Sequence, residues 1–370
     1  MTIKDSLVPL KSFLFSFYAT NTIIISFLPL YLQYKGLNGT EIGWVLAIGP
    51  LATIFSQPFW GYLSDKYKTV KRILLICVIS MLSVSIIFFQ MNSLIAILIT
   101  GAFFYFFSTP IGALGDSLAQ RRSQDLGVPF GSIRTWGSIG FATSSLVIGT
   151  VLAKTGIQHM IWPYLLFGLF AVLFAIRLKD VKVSSEPVQI SDVKKMFQNK
   201  PYVIFLLFII FVCVSHRAND SFVGLYIAEL GGIESYVGLA WFVGVASEAF
   251  IFATAGLWFR KYHPMVFVII AGIIYTIRWF LFALAESPFT VILLQATHGL
   301  TFGVFYLASF DYIARLVPRS LQATGHLVFF SVFFGVSGII GSLMGGALME
   351  AFGYSTLWKM PLFHILPHFS

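Results

Sequence analysis

Eleven stretches of about 20 mainly apolar residues follow one another along this chain, and no other feature constrains its fold as strongly. Each has the length a helix needs to cross the hydrocarbon core, where a backbone satisfies its N–H and C=O groups only within the segment itself. They lie at about 12–32, 41–63, 73–90, 94–117, 134–153, 159–178, 202–227, 236–258, 265–284, 289–313 and 323–349. Of the 370 residues 58% are hydrophobic and 11% charged, against about 25% charged in soluble domains. With 40 Phe and two Cys, disorder, a coiled coil and a disulfide-stapled secreted module are excluded. Cys77 and Cys213 fall inside apolar runs and read as small buried hydrophobes. The first stretch is long enough to span and others follow it, so it reads as a retained helix and not a cleaved signal. The expected fold class is an all-α polytopic membrane protein.

A single long polar segment, 179–201, separates the sixth stretch from the seventh and divides the chain. The expected organisation is a six-helix bundle over 1–178, a cytoplasmic linker over 179–201 and five helices over 202–352. An atypical tail follows over 353–370, where Pro361, His364, Pro367 and His368 interrupt any twelfth span. With the N-terminus placed inside, the connecting segments on that side hold 18 Lys and Arg, and those on the other side hold two, Lys35 and Lys154. This bias orients the chain with a cytoplasmic N-terminus in the cell membrane. It also makes the net charge of +9 a topological signature, so no nucleic-acid partner is expected.

The second stretch ends in Gly61-Tyr-Leu-Ser-Asp65-Lys66-Tyr-Lys68-Thr-Val-Lys71-Arg72. This resembles the loop between helices 2 and 3 of the major facilitator superfamily. Gly61 suits a close helix approach, and Asp65 at a helix end suits a basic or helix N-terminal partner held in one conformation and released in another. Lys66 and Arg72 belong to the basic part of this conformational-switch loop. A degenerate copy, Gly256-Leu-Trp-Phe-Arg260-Lys261, stands at the corresponding place in the second half. The resemblance implies two pseudo-symmetric six-helix bundles facing a midplane cavity, the twelfth helix being the one not found.

Within the superfamily the closer resemblance is to the lactose permease type of proton symporter and its phenylpropionate and nucleoside permease relatives. Phe130-Gly-Ser-Ile-Arg134-Thr-Trp136-Gly137-Ser-Ile-Gly140-Phe141 is similar to the start of that family's helix 5. The resemblance implies that Arg134 binds substrate, that Phe141 holds the ring-stacking position and that Asp116 pairs with the arginine. It likewise implies that Glu248 contacts substrate, and that Arg278 and His298 match the family's helix 9 arginine and helix 10 histidine. Two positions depart from the pattern: Thr301 stands where the family carries an acid, and His216-Arg217-Ala-Asn219-Asp220 replaces its helix 7 acids.

Apart from any resemblance, an ionisable residue within a membrane span costs several kcal/mol unless it is paired or faces water. His216, Arg217, Asp220, Glu248, Arg278 and His298 come from four helices and balance two acids against two arginines and two histidines. Such a set keeps its arginines neutralised while one acid or histidine changes protonation, and Glu248, Asp220, Arg278, His298, His216 and Arg217 are the candidates for proton coupling. A structural reading stands beside this one: Arg217 and Asp220, three apart on one helix, neutralise each other without any substrate. His216 also suits a hydrogen-bonded packing role. Asp116 and Arg134 fit either a substrate site or a gate pair, and Asn21 is a candidate donor to solute.

The expected function is proton-coupled symport of a small polar or amphipathic solute, a sugar, nucleoside or aromatic acid, by alternating access. The alternatives are a proton-driven exporter of sugars or drugs, and a truncated, non-transporting membrane sensor. No catalytic motif or metal spacing is present, so neither an enzyme nor a metal site is expected. The expected cofactors are none beyond protons, and the expected partners are a small-molecule solute and the lipid bilayer, with the chain a monomer.

Overall fold

The computed structural model describes residues 6–180, 198–317 and 322–353. The interior of the expected linker, the side chain of Arg260 and the tail from residue 354 lie outside the described residues. Among the described residues, all regular structure is helical, and eleven helices are long and apolar enough to cross a membrane. They are α1 (Val8–Tyr34), α2 (Gly39–Lys66), α3 (Val70–Gln90), α4 (Leu94–Leu126), α5 (Phe130–Thr155), α6 (Ile157–Ile176), α7 (Lys200–Glu229), α8 (Glu234–Trp258), α9 (Pro264–Ala283), α10 (Pro288–Leu316) and α11 (Gly325–Phe352).

Several helices run past the apolar stretches that announce them, because caps and not hydropathy terminate a helix. α4 continues to Leu126, where Gly127 adopts φ 64° and the Gly127 and Val128 N–H groups close back on the Gln124 and Ser123 carbonyls. Thr69, Ser93, Asn199 and Ser287 accept from backbone N–H groups at the starts of α3, α4, α7 and α10. Ile204, Phe211, Phe250, Leu257, Ile269 and Leu293 are exposed. In water they would make an aggregating surface; against lipid tails they are solvated.

The helices form two compact units, Met1–Leu37 with Trp44–Pro187 and Asn38–Gly43 with Val188–Ser370. In unit 1, α1 is the most enclosed helix: Phe13, Leu14, Ala19, Ile23, Phe27 and Leu28 are fully buried. It packs on α5 and α6. The approach to α5 is set by Gly140, where an added Cβ would strike the backbone of Phe15. Gly140→Val is accordingly expected to destabilise unit 1 by about 3 kcal/mol, the upper end of overpacking costs, because backbone cannot swing aside as a side chain does. Gly131→Val, on the same helix with no atom within 4 Å of the new Cβ, serves as the control. Equal melting temperatures for these two variants in detergent would show that α5 does not lean on α1 through Gly140.

In unit 2, α7 and α11 meet at small residues, Gly341 lying against the Val214 carbonyl and the Ala218 amide. The α9 helix is tied to α7 by Trp279 Nε1 donating to Ser215 Oγ (3.1 Å) and by the Tyr226 hydroxyl donating to the Phe282 carbonyl (2.9 Å). A wide π-type turn interrupts α10 at Gly299–Gly303, and another interrupts α11 at Ser331–Val336. Gly299 lies on the Ser247 carbonyl of α8, and its N–H donates to Ser247 Oγ (2.9 Å). Cys77 and Cys213 are both buried free thiols.

Candidate functional site

Unit 1 carries a charged pair inside its helices. Arg134 near the start of α5 holds Asp116 of α4, with Nε 2.9 Å from Oδ1, and both side chains retain partial exposure. The guanidinium lies 4.2 Å from the ring centre of Tyr18 on α1, a cation–π contact. Gly137 makes this possible, because a Cβ there would collide with the Tyr18 ring and with Arg134 itself. Asn21, one turn along α1 from Tyr18, is half-buried, and its amide has no protein partner among the described residues. Phe141 sits seven residues after Arg134, about 10 Å along the helix, and its carbonyl accepts from Thr22 Oγ1 (3.1 Å). Tyr18 was not separable by sequence from the neighbouring Phe13 and Phe17, which are core; only the fold turns it toward the pair.

Unit 2 gathers its ionisable residues from α7, α8, α9 and α10. On α7, Asp220 Oδ2 is 2.9 Å from Arg217 Nη1 and 3.4 Å from His216 Nε2. The geometry is that of the i,i+3 and i,i+4 positions on one helical face. From α10, His298 brings Nε2 to 3.7 Å from Glu248 Oε2 on α8. The close seat of Gly299 on Ser247 presses these two helices together one residue away. The His216 and His298 rings are 5.4 Å apart, and Phe302 stacks on both, at 4.9 Å and 5.2 Å between centroids.

Arg278 is 1% exposed and forms no ion pair among the described residues. Its Nη1 donates to Thr301 Oγ1 (2.8 Å), its Nη2 donates to Gln295 Oε1, and its guanidinium lies over Trp279 (4.9 Å) and Phe282 (5.2 Å). Thr301 occupies the position where the resemblance leads one to look for an acid, and it meets the arginine with a hydroxyl instead. The hydroxyl also donates back to the His298 carbonyl (3.1 Å). Sequence reasoning did not find Gln295, Thr301 and Phe302 as working parts of this cluster; their spacing on α10 (i, i+6, i+7) was the available signal.

The loop after α2 is held in this structure by contacts other than those of Gly61 and Asp65. No described atom lies within 4 Å of where a Gly61 Cβ would be, so Gly61 is not a point of close helix approach here. Asp65 forms no ion pair among the described residues, and Lys66 lies near the Tyr62 and Tyr67 rings (5.9 and 5.8 Å). The acid that organises the loop is Asp180, in the expected linker and not singled out by its sequence. Its carboxylate accepts from the Val70 N–H (3.1 Å), the Lys71 N–H (3.0 Å) and the Thr69 hydroxyl, capping the start of α3. Arg72, exposed, follows within the first turn of that helix. No group of three or more metal-ligating side chains occurs among the described residues.

Comparison with known proteins places this geometry. Residues 7–360 match the MFS_1 like family. The chain is similar to the uncharacterized transporter YwbF of Bacillus subtilis, 26% identical over 95% of this chain and 88% of the relative. It is similar also to the maltose permease of Geobacillus stearothermophilus, 26% identical over 94% of this chain and 88% of the permease. The crystal structure of the nucleoside transporter NupG superposes with a TM-score of 0.85 at 19% identity, covering 97% of this chain and 95% of that one, so the two share a fold.

Proposed function

The chain belongs to the MFS_1 like family, and from that premise we propose that it is a secondary active transporter of the cell membrane with its N-terminus in the cytoplasm. In this reading it carries a small polar or amphipathic solute in symport with protons, by alternating access, with no cofactor other than the proton. A single chain is the transporting unit. Relatives that include a maltose permease and a nucleoside transporter support a solute class rich in hydroxyls with at least one apolar face.

The observation that carries the reading is the arithmetic of the unit 2 cluster. Arg217 and Arg278 contribute two positive charges, Asp220 and Glu248 two negative ones, and two histidines sit against the two carboxylates. With both histidines neutral the set sums to zero. One added proton then places a net charge among mid-span side chains, where it is costly, and a conformational change that depends on that balance is coupled to protonation. In unit 1 the Asp116–Arg134 pair beside Tyr18 offers a guanidinium, a carboxylate and an aromatic face, a combination that suits a sugar, a nucleoside or an aromatic acid alike.

The test is uptake of radiolabelled maltose, uridine and phenylpropionate into right-side-out and inverted vesicles under an imposed pH gradient. Symport requires accumulation of at least one solute in the compartment that protons enter, abolished by a protonophore. Accumulation in the opposite sense would make the chain a proton-driven exporter. Gradient-independent retention of every solute tested, with none accumulated, would remove active transport altogether.

A further inference from the structure

At the end of unit 1 that carries the start of α1, a cavity of about 400 Å³ opens between α1, the end of α4 and the residues just beyond α6. Its apolar lining includes Leu7, Leu10, Leu118 and Leu178, and its polar lining is Ser6, Arg122, Arg177 and Lys179. Among the described residues no carboxylate lines it. Arg122 is 5% exposed, and the acid it faces among the described residues, Asp125, stands 3.9 Å away with a largely exposed side chain. That separation is at the limit of an ion pair and beyond a hydrogen bond. The neighbouring acid at the end of α6, Asp180, is committed to the start of α3.

The start of α1 borders the same space. No side chain caps α1, and its early Pro9 leaves the first turn with few N–H groups of its own; the Val8 N–H is met by Ser6 Oγ (3.2 Å). Ser6 therefore accepts from the helix and keeps its own proton to donate. The positive end of the α1 dipole adds to the field of the arginines. A buried guanidinium without a well-placed anion is expensive unless a ligand supplies one. Planar arginine forks match phosphate oxygens, and basic pockets between the ends of membrane helices suit anionic headgroups.

We propose that this cavity is a binding site for a phosphate oxyanion, held by Arg122, Arg177 and the Ser6 hydroxyl at the start of α1. The cations fit the phosphate group of an anionic lipid and the apolar lining suits its acyl chains, while inorganic phosphate presents the same recognition chemistry without the chains. The site is separate from the Asp116–Arg134 pair and does not depend on the transport reading.

The experiment uses the full chain in nanodiscs of phosphatidylcholine with and without phosphatidylglycerol, and in detergent with and without inorganic phosphate, reading melting temperature and lipid retention by native mass spectrometry. Wild type is expected to be stabilised by phosphatidylglycerol, and Arg177→Gln, an exposed substitution that leaves the core untouched, to lower lipid affinity at least tenfold. Arg122→Lys keeps the buried charge and loses the fork, and is expected to weaken retention as well. Stabilisation by phosphatidylglycerol alone identifies a lipid site, and stabilisation by phosphate alone identifies a soluble oxyanion site. Stabilisation by neither, or shifts equal in wild type and Arg177→Gln, would overturn the assignment.

Discussion

Replacing Glu248 with glutamine is expected to reduce pH-gradient-driven solute uptake by about 100-fold while leaving solute exchange at equal pH largely intact. Glutamine keeps the size of the side chain and its ability to face His298, now 3.7 Å away, but not the negative charge. Arg217 and Arg278 are then opposed by Asp220 alone. The empty carrier that keeps this charge uncompensated meets about 2.5–3.5 kcal/mol on its return, a step that loaded exchange does not use, and each 1.36 kcal/mol is worth about tenfold in rate. The variant resembles a permanently protonated carrier: it can shuttle loaded, as exchange requires, but cannot return by giving up a proton. Initial rates in energised vesicles, set beside counterflow at equal pH, measure both parts. Undiminished gradient-driven uptake would take Glu248 out of the coupling and leave Asp220 as the carboxylate to examine.

Arg134→Gln is expected to be the most damaging substitution in unit 1, and the double variant Asp116→Asn/Arg134→Gln decides what the pair does. The single change strands the Asp116 carboxylate that Arg134 now meets at 2.9 Å and removes the cation from the Tyr18 ring. Breaking one side of a fully buried pair costs about 3–5 kcal/mol and of this partly exposed pair less, whereas removing both sides is often nearly neutral for stability. A pair that serves only structure therefore recovers transport in the double variant together with its melting temperature. A pair that binds solute recovers the melting temperature and not the binding, which is expected to stay about 100-fold weakened by loss of the charged hydrogen bonds. Thermal stability and solute affinity, measured on all three proteins, separate the two cases; full transport by the double variant would remove Arg134 and Asp116 from solute recognition.

The arrangement within unit 2 also explains why a threonine can stand at position 301. A carboxylate there would add a third negative charge to a set that already balances, whereas the hydroxyl accepts from Arg278 and donates its own hydrogen bond to the helix backbone. The guanidinium is further eased by two aromatic faces and the Gln295 carbonyl, which are polarisable or polar but uncharged. Arg278 thereby supplies a fixed charge without consuming one of the two acids, and Glu248 is left to His298.

How far each of these features could be read in advance follows from the range of the interaction involved. The number of spans, their order and the ionisable residues at mid-span were legible because each depends on composition over about 20 residues and on the lipid requirement that a backbone bond to itself. The contact of Asp220 with Arg217 was legible in the same way, since a three-residue spacing is fixed by helical geometry, whereas the contact with His216 was not singled out. The partners of Arg278, the approach of His298 to Glu248, the turning of Tyr18 onto Arg134 and the capping of α3 by Asp180 were not. Each joins residues far apart in sequence, and each depends on how a helix is rotated about its axis and how closely it approaches its neighbour. Those two quantities are set by packing at positions such as Gly137, Gly140 and Gly299, where the absence of a side chain admits another helix's backbone or ring, and by the wide turn in α10 that re-aims the residues around it. Local chemistry thus determined which groups are buried in the membrane, and only the tertiary packing decided which of them meet.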